Sequence, residues 1–187
     1  MTAAQTHSAA ARAMHWASAG LILVVFAAIW MPVDEASDTA YAVKLMVHRS
    51  AGVLVWLLTL VRLVRRGVGH SPALPMDVPR LQRIAARLHA AALYLLLLAQ
   101  PLFGLIASQA AGNTVRPFGL FAIPTLVARD RALAHACFGL HEAVATLLLV
   151  FIGAHVAAAL HHHYLRRDGV LVSMLPGLRR LDARHGN

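Results

Sequence analysis

The stretch HEAVATLLLVFIGAHVAAALHHHYLRR, residues 141–167, decides the fold. Its apolar run is long enough for a membrane-crossing helix, which needs about 20 residues. Lipid offers no partner to main-chain N–H and C=O groups, so a helix is the form such a run must take. Yet His141 and His155 lie inside it. An ionisable side chain within a membrane helix is costly, and for that reason points to function.

The rest of the chain repeats the pattern. Of 187 residues, 59% are hydrophobic and only 13% are charged, against about a quarter charged in a soluble domain. Mean hydropathy is +0.63. Spans are expected over about 10–31, 41–64, 84–110 and 133–164, followed by a polar tail over 166–187. The expected fold is all-α: one membrane domain over residues 1–187, an integral four-helix bundle. The N-terminus is polar and shows no cleavable small-residue site, so the first apolar run is read as a retained span. The single cysteine, Cys137, excludes an internal disulfide, a multi-cysteine metal site and an iron–sulfur cluster.

The net charge of +9 sits beside the apolar spans. That placement fits membrane lipid head groups and speaks against nucleic acid. If the spans alternate, Arg12, Arg62, Arg65, Arg66, Arg80, Arg83, Arg87 and the five arginines from Arg166 onward share one side. These are twelve of the seventeen basic residues. Lys44, Arg49, Arg116, Arg129 and Arg131 fall on the other side. The positive-inside rule then puts both termini in the cytoplasm and the second side, in a bacterium, in the periplasm.

Twelve histidines are present. His7, His70 and His185 lie in polar or terminal segments. His161, His162 and His163 gather at the end of the fourth span, as an interfacial cluster or a proton or quinone contact. His141 and His155 are fourteen residues apart, which leaves them about 40° from eclipsed and about 21 Å apart along a helix. One metal ion cannot use both, but two stacked haems can, each iron taking a second histidine from another helix at matching depth. His15 lies one turn beyond Arg12, in the same half as His155. His48 lies about 21 Å from Arg62, in the half of His141. The matched pairs are His48 with His141 and His15 with His155. His89, at a depth like that of His15, rivals it, and His135 near the outer mouth competes more weakly with His141. Gly20, Gly52, Gly104, Gly139 and Gly153 suit close helix packing or a flat macrocycle.

The stretches RAMHWASAGLIL, KLMVHRSAGVLVWLLTLVRLVRR, ARLHAAALYLLLLAQPLFGL and GLHEAVATLLLVFIGAHVAAALHHHYLRRDGVLVSMLP resemble the four spans of the bacterial cytochrome b561 family. The resemblance runs from about Ala11 to Pro176. It implies a dihaem b-type cytochrome of the bacterial inner membrane that exchanges electrons with quinone. It also implies His15, His48, His141 and His155 as haem-iron ligands, favouring His15 over His89. For some members it implies oxidation of superoxide at the outer face and reduction of ubiquinone. The five outer basic residues would then raise the local concentration of the superoxide anion. Arg49, next to His48, would suit a haem propionate. Quinone contacts would come from His89, His161, His162, His163 and Tyr164. The competing expectation is a cytochrome b subunit taking electrons from a partner dehydrogenase or hydrogenase. A haem-free metal-binding or transport protein ranks below both.

Overall fold

The computed structural model describes residues 8–32, 38–68, 79–167 and 170–175. His7, His70, His185 and the tail beyond residue 175 lie outside the described residues. Four long helices carry the chain: α1 (Ala9–Trp30), α2 (Asp38–Val68), α3 (Arg80–Ala110) and α4 (Arg131–His161). All four are long and apolar enough to cross a membrane.

Local chemistry sets their ends. Ser8 caps α1, its Oγ accepting the Ala11 N–H, and Pro32 disfavours helix at Met31. Pro79 precedes α3. Asp130 caps α4, with Oδ1 accepting the N–H groups of Ala132 and Leu133 at 2.8 and 3.0 Å. The same residue's N–H donates to the Ala110 carbonyl, closing the α3–α4 connection. At the far end, α4 widens into a π-helical turn over His162–Arg166, and Arg167 stops it in the left-handed conformation.

The helices pack as two hairpins, α1 on α2 and α3 on α4, joined by a smaller α2–α3 contact. Among the described residues, α1 and α4 scarcely touch backbone to backbone. Val55, Leu97 and Leu148 form the buried centre, with Leu21, Ile22, Val25, Phe26, Leu93, Leu96 and Ile152 around it. Outward, Leu23, Leu95 and Val150 are 62–72% exposed. That apolar surface suits lipid, where it carries none of its cost in water.

One end of the bundle holds the start of α1 and α3 and the finish of α2 and α4; we call it the terminal end. There a short helix, α5 (Val170–Met174), packs against α4 and its π-helical turn. Trp16 Nε1 donates to the Met174 carbonyl at 2.7 Å, and Arg166 donates to Gln82 Oε1 at 2.9 Å. The tail expected to be polar therefore begins with an apolar helix, because VLVSM offers a face that the neighbouring turn can bury. At the opposite, loop end, the segment 111–130 folds back on the helices. Gln109, 4% exposed, donates from Nε2 to the Pro124 carbonyl and accepts the Leu126 N–H on Oε1, both at 2.9 Å. A short 3₁₀ turn over Pro117–Gly119 holds Phe118 at φ 54°, and its N–H donates to Ser50 Oγ at 2.7 Å.

Candidate functional site

Two sets of imidazoles face each other at two levels. Toward the loop end, His48 of α2 and His141 of α4 have ring centroids 6.0 Å apart. Toward the terminal end, His15 of α1 and His155 of α4 are 6.1 Å apart. His89 of α3 also approaches His155, at 5.8 Å with the rings 3° from parallel, and stacks on Phe151 at 5.3 Å. His155 thus has two imidazole neighbours, from α1 and from α3. The Nε2 of His89 is buried without a hydrogen-bond partner among the described residues.

The loop-end pair is oriented by main-chain carbonyls. His48 Nδ1 lies 3.0 Å from the Val25 carbonyl, and His141 Nδ1 lies 2.9 Å from that of Gln100. A carbonyl only accepts, so both Nδ1 atoms carry the proton and both Nε2 atoms keep their lone pairs. This is the tautomer a metal-ligating histidine needs, with its outer hydrogen bond already made. The Gln100 amide donates to His141 Nε2 at 3.2 Å, while its own Oε1 is buried and unpartnered among the described residues. A group taking that Nε2 would displace a contact that is already only half satisfied.

Gly104 completes this corner. A Cβ there would come within 2.8 Å of His141 Cε1, so the ring packs where a side chain would stand. A Cβ on Gly20, Gly52, Gly139 or Gly153 would meet nothing within 4 Å. Open space therefore lies one turn beyond His48, at Gly52.

The ring spacing suits iron. A ligating imidazole nitrogen sits about 2 Å from its metal, which puts two ring centroids about 6 Å apart across one ion. The loop-end and terminal-end approaches both match that separation. Among the described residues, no group of three or more His, Cys, Asp or Glu side chains is gathered to hold a bare metal ion. With two imidazoles at the loop-end level and three at the terminal-end level, from different helices, each level has the two nitrogen donors that a haem iron, completed by its macrocycle, would need.

The other candidates are more scattered. Arg49 is half-buried next to His48, and His135 is exposed near the start of α4. His161, His162, His163 and Tyr164 occupy the end of α4 and the π-helical turn, with the His163 and Tyr164 rings 4.8 Å apart. His162 lies seven residues, about 10 Å, beyond His155, so the structure separates this cluster from His89. Lys44 donates to the Met31 carbonyl at 3.1 Å. The Arg129 side chain lies over Gly112. Sequence reasoning missed Gln100; a lone amide within LLLLAQPLFG was the available signal.

Comparison with known proteins names the family. Prokaryotic cytochrome b561 matches residues 6–177 of this chain. Two Escherichia coli K12 proteins, cytochrome b561 homolog 2 and cytochrome b561 homolog 1, are 34% and 30% identical over 165 and 167 residues. Both alignments cover 87% of this chain, with 87% and 93% of the respective relative. A Yersinia pestis protein named probable superoxide oxidase CybB is 27% identical over 164 residues, covering 87% of this chain and 92% of its own. The chain belongs to the prokaryotic cytochrome b561 family. It is a multi-pass electron-transport protein of the bacterial inner membrane, in a family whose name implies b-type haem.

Proposed function

We propose that this member of the prokaryotic cytochrome b561 family is a dihaem carrier moving electrons between superoxide at the loop end and ubiquinone at the terminal end. The observation that carries the reading is the recurrence of one imidazole spacing at two levels, 6.0 Å for His48–His141 and 6.1 Å for His15–His155. These four are the proposed axial ligands. His89 is the competing partner for His155, and the family resemblance favours His15. When bound, the haems supply one-electron transfer across the bilayer.

The chain's own residues do the rest. The carbonyls of Val25 and Gln100 hold His48 and His141 with Nε2 presented. Val55, Leu97 and Leu148 form a buried apolar centre, where low dielectric strengthens every charge interaction. At the loop end, Lys44, Arg49, Arg116, Arg129 and Arg131 attract an anion such as superoxide, and Arg49 is placed in sequence to meet a propionate near His48. The Yersinia pestis relative's name supports superoxide as donor. At the terminal end, His162 and Tyr164, with His161 and His163, are the proposed quinone contacts, able to donate to its carbonyls and supply protons, with His89 set apart from them beside His155. The arginine excess at that end supports cytoplasmic termini.

The test uses the purified, haem-loaded chain with a superoxide source and a soluble ubiquinone. Superoxide-dependent quinone reduction by the chain alone supports the reading. Reduction that needs an added dehydrogenase or hydrogenase identifies it instead as that enzyme's cytochrome b subunit.

A further inference from the structure

We infer that Arg62, held by Ser18 and Tyr94, is an oxyanion receptor inside the bundle, and that the oxyanion is a carboxylate of the cofactor at His155. Arg62 lies six residues before the end of α2, about 9 Å into the helix. A long cationic side chain so close to a membrane helix end ordinarily snorkels outward to the head groups. Arg62 reaches the other way.

Its Nη1 donates to Ser18 Oγ at 3.2 Å. Ser18 is 2% exposed and lies three residues past His15 on α1, about 4.5 Å further into the bundle. The Ser18 hydroxyl spends its own proton on the Met14 carbonyl at 2.8 Å, so it is left to accept from Arg62. On the α3 side, the guanidinium lies 5.6 Å from the centre of the Tyr94 ring. A guanidinium has five N–H donors, yet Ser18 is its single hydrogen-bond acceptor among the described residues. Also among the described residues, Arg62 meets no carboxylate at ion-pair distance. Its acceptor Ser18 follows His15 on α1, and the His15 ring lies 6.1 Å from that of His155.

Among the described residues, then, Arg62 is a half-buried cation with four donors unspent and no counter-ion, which makes an incomplete site. Its fork geometry matches a carboxylate or a phosphate. A phospholipid phosphate stays at the helix end, whereas the contact with Ser18 lies deeper than His15. Depth therefore favours the propionate of a haem at His155, and the inference rests on the proposed haem ligation. A positive charge there favours the reduced haem, giving that haem the higher potential.

Arg62→Gln, Ser18→Ala and the unchanged protein would be purified with haem, then titrated spectroscopically for midpoint potentials, with haem and phosphorus counted per chain. The expected result is a fall in the midpoint of one haem in Arg62→Gln, a smaller fall in Ser18→Ala, the other haem unmoved and phosphorus unchanged. Loss of bound phosphorus with both midpoints unmoved would assign the oxyanion to a lipid and overturn the carboxylate inference. No change in either quantity would overturn it as well. If Arg62→Gln does not fold, unmoved midpoints in Ser18→Ala would do the same. Fewer than two haems in the unchanged protein would instead break the ligation scheme beneath it.

Discussion

The imidazole of His141 occupies the space that a side chain on Gly104 would take, its Cε1 2.8 Å from where a Cβ would stand. The ring cannot easily swing clear, because its Nδ1 is tied to the Gln100 carbonyl one turn earlier on α3. Alanine in place of glycine within a helix ordinarily stabilises by about 0.5–1 kcal/mol. Here the clash should outweigh that gain. Gly104→Ala is expected to lower haem content by about one per chain and leave the spectrum of the second haem intact. A variant that is more stable and fully loaded would mean the His141 ring does not sit against Gly104.

The basic residues of the loop end act at range if they steer an anion. Reversing the charge of Arg49, Arg116 and Arg129 together should slow the bimolecular reaction with superoxide by tenfold or more and flatten its dependence on salt, within the usual range of steering. Stopped-flow rates at two ionic strengths measure this. Unchanged rates would leave those arginines as loop residues.

Gln109 fastens the loop over residues 111–130 through both ends of its amide. Gln109→Leu leaves the Leu126 N–H and the Pro124 carbonyl unpaired, at about 1–3 kcal/mol for each group that water cannot reach. Hydrogen exchange at the Leu126 amide should quicken while the helices stay protected. Unaltered exchange there would show that the loop is held by other contacts.

Orientation follows from charge alone and is open to direct labelling. Single cysteines placed at Thr125 and Ser8, in a chain whose Cys137 is replaced by Ala, should react oppositely with a membrane-impermeant maleimide in whole cells. Thr125→Cys should label from outside and Ser8→Cys should not. The reverse pattern would invert the membrane topology.

Some of this was legible in the sequence because helix geometry is nearly rigid. A rise of about 1.5 Å per residue turns the spacing of His141 and His155 into two depths, and the arginine-rich ends assign His15 and His48 to them. What could not be read was anything decided by contact between helices. Both His15 and His89 approach His155, and their near-equal depths in sequence could not have revealed that both rings turn toward it. The closeness of Gly104 to His141 depends on how α3 lies on α4. Arg62 was read only as a charge marking the cytoplasmic side, because its inward reach to Ser18 depends on the α1–α2 packing. Helix α5 was missed because five residues carry too little periodicity to be told from a tail.

The central claim is that the four histidines form two haem sites, one per level. The measurement that tests it most directly is the haem count per chain, with the reduced-minus-oxidised spectrum, for the purified protein and for alanine at His15, His48, His89, His141 and His155. The account predicts two low-spin b-type haems in the unchanged chain. His48→Ala and His141→Ala should remove the same one, His15→Ala and His155→Ala the other, and His89→Ala neither. A chain with one haem or none, or loss of the His155-side haem in His89→Ala with its retention in His15→Ala, would contradict it.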